Sequence, residues 1–491
     1  MMSIIITLDL GTTGNRCLAI DKTGTIVAQA YHEFPQIYPK PGWVEHDPMV
    51  IWETTLAVLK QVLTKVDVNH IQVLGITNQR ETIVAWNKVT GKPLYNAIVW
   101  QCRRTTERCK QLGDDYAVMV KKKTGLSIDP YFSASKMEWL FEHVSEVKLL
   151  ADKQQLCFGT IDSWIIWNLT KGKHFVTDAS NASRTMLFDI NLSSYDADLL
   201  TLFKIPLHTL PDVLDSDACF GYTDESHTKR AIPIHAVLGD QQASLFAQCG
   251  SDTTMLKNTY GTGLFVIGYT ADKVVLTDSL IGTVAWRLAG KTSYALEGSI
   301  FVGGSAIQWL RDGLGLISDA AETERIAQSV ESTDGVVFVP ALTGLGAPYW
   351  DSGARGTLCG LTRGTTKAHI VRATLESLAF QTKAVIDDIK LVYPDYSFQT
   401  LRVDGGAANN AFLMQFQADI LGMTIHKPTV TELTAYGVAG LAGMAVNVWS
   451  ESEFRKTITI QKSYLSMFND SKISEYYQQW TKAIKRSKNW I

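Results

Sequence analysis

Two apolar runs open the chain, Ile4 to Leu8 and Cys17 to Ile20, and between them "DLGTTGNR" carries one acid and a turn of Gly and Thr. Short apolar runs interrupted by Gly predict paired strands. "DKTG", Asp21 to Gly24, is a turn into a further strand, so the chain is expected to begin as an antiparallel meander. In "DPMVIWETTLAVLKQVLTKV" the period changes. Trp52, Leu56, Leu59, Leu63 and Val66 recur at helical steps, with Asp47 placed to cap and Pro48 to start a helix. "IQVLGITNQRETIVAW" returns to strand around a polar island, Asn78 to Glu81, and "AIVWQCRR" reads as another strand ending in charge.

The second half repeats the theme. In "KNTYGTGLFVIG" polar residues Lys257 to Thr259 lead into Gly261, Thr262 and Gly263, and an apolar strand follows. Downstream, Val371, Leu375, Leu378, Thr382, Val385 and Ile389 form one face of a predicted helix, and "LRVDGGAANNAFLMQFQADILG" supplies strand, Gly-Gly loop and helix. Two Gly-Thr turns, each followed by strands and then amphipathic helices, predict an internal duplication.

Asp9 ends a strand too apolar to be half exposed, so its carboxylate is either paired or faces a cleft. In open α/β sheets ligands bind beyond the carboxyl ends of strands, which makes the polar strand ends the first candidates for a site. Backbone N–H groups freed by Gly, with Thr hydroxyls beside them, form a concavity suited to phosphate oxygens. Two facing turns would clamp a nucleotide between domains, with Asp9 holding Mg²⁺ through water. A P-loop is absent. "AGKTS", Ala289 to Ser293, has the Gly-Lys-Thr ending, but Ala285 stands five before Gly290 and the flanks read as strands, so it is a surface turn. The Gly-Gly loop fails the dinucleotide pattern, and "AYGVAGLAGMA" reads as close helix packing.

Composition narrows the classes. At 491 residues and 46% hydrophobic, the chain can bury the cores of two or three domains. A net charge of −3 argues against nucleic acid as a partner. No window reaches the length of a membrane span, and the amino terminus lacks a signal peptide's basic region and cleavage site, so a cytosolic protein is expected. Seven scattered cysteines with no C-x-x-C pair read as reduced core residues.

"DLGTTGNR", "KNTYGTG" and "VDGGAANN" resemble the phosphate-one, phosphate-two and adenosine motifs of the actin-like ATPase superfamily. Within it, "YPKPGWVEHDP", "GITNQRET", "NAIVWQCRRT", "IDPYFSASK", "NASRTMLF", "GDQQASLF", "PALTGLGAPYWD" and "RVDGGA" resemble glycerol-phosphorylating members of the FGGY carbohydrate-kinase family, in order from the first strand to about Trp449. The resemblance implies an α/β chain of two actin-like, ribonuclease H-like domains, duplicated around a central cleft. Residues 1–247 would carry the polyol pocket and the first phosphate turn, residues 248–491 the second phosphate turn and the adenosine site. It further implies ATP-dependent conversion of glycerol to sn-glycerol 3-phosphate in the cytoplasm, with ATP and Mg²⁺ as cofactors, and it admits a homo-oligomer. The rivals are another FGGY kinase, acting on ribulose or xylulose, and a non-transferring actin-like ATPase.

Carried over residue by residue, the resemblance puts the polyol on Arg80, Glu81, Trp100, Tyr131, Asp240, Gln241 and Phe265. The nucleotide falls on Thr12, Thr13, Arg16, Thr262, Gly304, Gln308, Gly406 and Asn410, and the metal on Asp9. A small polyol needs donors and acceptors for its hydroxyls and flat apolar walls for its carbons, which these residue types supply. Singly, an Arg-Glu pair reads as a surface ion pair and a strand aromatic as core; their joint match to one pattern reverses that. Asp240, between the strand "IPIHAVLGD" and the helix "QQASLFAQ", suits an N-cap, and the resemblance makes it the general base as well. Leu10 and Gly14-Asn15 depart from the Gln and Ser-Ser common in the family, and are expected to retune the γ-phosphate end of the turn. In "VDGGAANN" the paired Asn residues stand one place early, with Asn410 still in its slot. "DESHTKRAIP" lacks the Gly-Gly-x-Arg pattern that binds fructose 1,6-bisphosphate in some members, so that regulation is not expected.

Overall fold

In the computed structural model, which describes residues 3–394 and 397–491, each half of the chain builds a mixed sheet around one central strand. In the first sheet that strand is Ile4–Leu10. It pairs antiparallel with Gly14–Asp21, which continues to Ile26–Glu33, and parallel with Ile71–Asn78, which continues to Pro233–Gly239 and the edge strand Cys219–Tyr222. The second sheet repeats this order around Met255–Tyr260. Leu264–Ala271 and Lys291–Ile300 lie antiparallel on one side, Thr400–Asp404 and Thr424–Pro428 parallel on the other, with Ile281–Leu288 and Ile460–Tyr464 at the edges. The duplication expected from the two Gly-Thr turns is therefore present as shared topology. Each turn links the central strand to its antiparallel neighbour, at the carboxyl end where ligands bind.

The first helix, Pro48–Leu63, starts as expected, with Asp47 accepting from the N–H of Met49. Leu59 and Leu63 of the stripe read from the sequence are buried as expected, but at the helix start Ile51 and Thr55 are buried in place of the expected Trp52 and Leu56, Val58 and Val62 complete the face, and Val66 lies beyond the helix end. Trp52 sits at the margin, edge-on to His227 at 5.2 Å. "AIVWQCRR" pairs as a strand only over Ala97–Ile98, because Trp100 N then turns to the Thr82 hydroxyl. The helix Lys367–Val392 buries all six residues of its expected face. "AGKTS" is the tight turn between two antiparallel strands.

Five apolar clusters result among the described residues, and three of them set the architecture. One fills each half, and a third joins Ile5, Leu18 and Val73 of the first sheet to Ile267, Tyr269 and Trp286 of the second through the helices Asp240–Gln248 and Leu433–Ala445. The small residues of "AYGVAGLAGMA" make that junction. Any Cβ on Gly437 would collide with the carbonyl oxygen of Ala243, so the two helices touch backbone to backbone. Although drawn from the second half of the chain, Leu433–Ala445 lies against the first sheet.

Candidate active site

Strand alternation sorts the first phosphate turn. Asp9 faces Arg16 across the strand pair, and Leu10 faces Asn15, so the two pairs point to opposite sides. Leu10 is buried, and Asn15 Nδ2 donates to Ile51 O, Thr54 Oγ1 and Thr55 Oγ1 at 2.8–2.9 Å. These departures from the family pattern thus pack together on the first helix. Their side chains lie on the face of the strand pair opposite Asp9 and Arg16. On the other side, Arg16 pairs with Glu432 and lies 5.1 Å over the ring of Tyr31. Burial pushes the Asp9 carboxyl up to about 6; Arg16 pulls it down and Asp240 raises it further.

The second turn is tied to the helix start that follows the sheet. Gly303 N donates to Thr262 O and Gly304 N to Gly261 O, both at 2.8 Å. A Cβ on Gly304 would stand 2.7 Å from Gly261 O, so only Gly allows this approach. Thr262 and Gln308 are exposed above it. At the third motif Gly405, with φ of 87°, folds against the backbone of Tyr260, and Gly406 faces open space. Asn410 caps the helix Ala411–Leu421 through Leu413 N at 2.9 Å and donates to Thr323 Oγ1 at 3.0 Å.

Beneath the first turn the expected pocket residues form one connected group. Trp100 Nε1 donates to Thr12 Oγ1 at 2.9 Å, and its ring stands edge-on to Tyr131 at 5.6 Å and Phe265 at 6.4 Å. Tyr131 is held in place by the buried ammonium of Lys136, which donates to Pro130 O, Tyr131 O and Phe132 O. Arg80 Nη2 reaches the Tyr131 hydroxyl at 3.5 Å, and Arg80 Nε lies 3.2 Å from Asp240 Oδ1. Glu81 adopts φ of 60°, a strained value of the kind that marks ligand sites.

Asp240 is the first residue of its helix. The cap position belongs to Gly239, which corrects the reading of Asp240 as N-cap. Its Oδ1 accepts from Gln241 N at 2.7 Å, at the helix's positive end. Burial raises its carboxyl, while Arg80, the Gln241 N–H and Lys257 pull it down, and the net direction is up. Lys257 Nζ, buried behind it, donates to Gln241 Oε1 and Thr259 Oγ1, both at 2.5 Å.

Sequence reasoning missed Arg184, Glu297, Lys257 and Gln242, all buried around this pocket. Arg80 is paired bidentately with Glu297, at 2.6 and 3.1 Å, and Arg184 Nε donates to Glu81 Oε1 at 2.6 Å. The available signal was a charge within an apolar run: Glu297 in "YALEGSIF" and Lys257 in "MLKNTY". Such charges are rarely buried unless paired.

Two sheets of shared topology, each with a Gly-Thr turn at the carboxyl end of its central strand, and a joined group of charged and aromatic side chains bonded to the first turn, make up the architecture of a duplicated α/β domain pair. Residues 4–247 match the N-terminal domain and residues 256–446 the C-terminal domain of the FGGY family of carbohydrate kinases, and the chain belongs to that family. It is 49% identical over 494 residues to glycerol kinase 2 of Thermotoga maritima, covering 100% of this chain and 99% of that one. The crystal structure of Plasmodium falciparum glycerol kinase with ADP superposes at a TM-score of 0.91 with 36% identity, over 99% of this chain and 98% of its own. Ligand-bound xylulose kinase from Lactobacillus acidophilus shares the fold, at a TM-score of 0.87 and 23% identity over 99% of this chain and 97% of its own.

Proposed function

We infer that this chain phosphorylates glycerol with ATP, forming sn-glycerol 3-phosphate. One observation supports this reading above the others: Trp100 is a wall of the three-ring pocket and also hydrogen-bonds Thr12 of the first phosphate turn, so acceptor and phosphate sites abut. Arg80 and Glu81 offer the hydroxyls a cation and an acceptor, and the rings of Trp100, Tyr131 and Phe265 flank the carbons. The reacting hydroxyl lies at Asp240. As its oxygen bonds to the γ-phosphorus and the bond to ADP breaks in line, Asp240 takes the proton through the carboxylate oxygen that does not face Arg80. Thr12, Thr13, Arg16, Thr262, Gly304, Gln308, Gly406 and Asn410 line the nucleotide's side of the cleft.

One Mg²⁺ fits this donor set. The ion binds through one or two carboxylates plus phosphates and keeps its waters. Asp9 is such a carboxylate, on the central strand beside the first Gly-Thr turn, with the charge of Asp240 near enough to raise it. When bound, the ion would withdraw charge from the phosphate oxygens. Among the described residues no helix is long and apolar enough to cross a membrane. Seven free cysteines, five of them buried, suit a reducing cytoplasm.

ADP release from ATP by the purified protein, with glycerol, ribulose, xylulose or no acceptor, tests the assignment. Release only with glycerol is expected. Faster release with a five-carbon ketose favours another sugar kinase, and release that ignores acceptors favours a non-transferring ATPase. Trp100→Ala and Phe265→Ala should each lower kcat/KM for glycerol by about tenfold or more and let four- and five-carbon polyols compete. Unchanged selectivity in both variants overturns the placement of the walls.

A further inference from the structure

Two of the charges beneath the pocket come from outside its expected residues and reach no open space. Glu297 is fully buried on a strand of the second sheet and accepts at both oxygens: from Arg80 Nη1 at 2.6 Å, from Arg80 Nη2 and Arg184 Nη2 at 3.1 Å each, and from Ser299 Oγ at 2.8 Å. Arg184, also fully buried, donates Nε to Glu81 at 2.6 Å and lies over the rings of Tyr131 and Phe132. Neither presents a group to the acceptor. Each instead grips one that does.

We propose that Glu297 and Arg184 are the positioning residues of the acceptor site, Glu297 by fixing the guanidinium of Arg80 and Arg184 by fixing the carboxylate of Glu81. The inference rests on the reading of this pocket as the glycerol site. A bidentate guanidinium–carboxylate pair sets a plane as well as a distance, so Arg80 is left with Nε as the edge turned to Asp240. The arrangement has a chemical consequence. With the two Nη groups of Arg80 held by Glu297 and Arg184 held by Glu81 and Glu297, Asp240 meets Arg80 only at its Nε edge, at 3.2 Å. Without Glu297, the Nη groups of Arg80 would be released to turn onto Asp240 beside its Nε, lowering the basicity of that carboxylate and withdrawing a donor from the acceptor. Because Glu297 lies 217 residues from Arg80, in the other half of the chain, the acceptor site is assembled from both halves.

Both pairs are buried, and burial favours a purely structural explanation that the test must separate. Glu297→Gln keeps the shape and the Ser299 contact while losing the charge, and Arg184→Lys keeps the charge while losing the fork. Steady-state KM for glycerol and for ATP, kcat, and thermal melting are measured for both variants and the wild type. KM for glycerol is expected to rise about tenfold to a hundredfold in both variants, with a fall in kcat for Glu297→Gln, while KM for ATP stays within about twofold. Folded variants with wild-type glycerol KM overturn the proposal. Equal rises in both KM values, or failure of both variants to fold, also overturn it, since either makes the pairs scaffold. If one variant alone folds, it decides. A wild type inert toward glycerol refutes the glycerol assignment only; the acceptor found in the panel then replaces glycerol in the same comparison.

Discussion

Asp240→Asn should lower turnover by about a hundredfold to ten-thousandfold while the affinities for ATP and glycerol change far less. The geometry makes this a clean substitution. Asp240 uses one oxygen, Oδ1, for the Gln241 N–H at 2.7 Å and for Arg80 Nε at 3.2 Å. An asparagine can keep its own carbonyl oxygen on those two donors and turn its amide toward the acceptor, so folding and binding survive. What it cannot do is accept a proton. The upward push of burial on the Asp240 carboxyl makes it a better base than an exposed aspartate, and Arg80 and Lys257 limit that push. Calorimetric titration of both ligands, run beside steady-state kinetics, separates the outcomes. Near-normal turnover in the Asn variant would refute the base assignment and leave Asp240 a binding residue at a helix start.

Periodicity revealed the sheets and the long helices because those signals are local. The Gly-Thr turns were legible for the same reason, since Gly is required where Gly14 meets the His32 carbonyl and Gly263 the Ile300 carbonyl. The buried face at the start of the first helix was not. Thr55 counts as polar in a pattern, yet its hydroxyl is satisfied inside the helix by Ile51 O and can be buried facing Asn15. Asp240 looked like a cap because capping residues and catalytic carboxylates share a preference for helix starts; one residue of register separated the roles. The pocket residues followed from family resemblance and not from spacing. Their partners lay beyond both, because Glu297 and Arg184 acquire meaning only from side chains more than a hundred residues away. Leu10 and Asn15 belong to one motif when it is read along the chain, whereas strand alternation turns them to the face opposite Asp9 and Arg16.

Asp9→Asn should abolish most turnover and yet raise the melting temperature of the unliganded protein. Asp9 ends the central strand of the first sheet, where burial, and the nearby charge of Asp240, lift its carboxyl from 3.8 to about 6 in spite of Arg16. Arg16, which faces Asp9 across the strand pair, also pairs with Glu432. A carboxyl whose folded value is raised keeps its proton in the folded chain after the unfolded chain has lost it. Stability therefore falls as pH rises from about 4 to about 6, and at pH 7 the whole cost is present, at most roughly 3 kcal/mol for a shift of about two units. Asparagine removes that cost, so the variant's advantage should be largest near neutral pH and shrink to nothing toward pH 4. In the proposed function Asp9 is the Mg²⁺ carboxylate, so its charge is needed when Mg²⁺ and ATP bind. Wild type should gain melting temperature on adding both, the variant much less, and its turnover should drop by about a hundredfold or more. Melting curves from pH 4 to 8, with and without Mg²⁺ and ATP, read both halves of the prediction. A variant that melts lower than wild type at pH 7 in the absence of ligands, or that keeps normal turnover, would remove Asp9 from the metal's place.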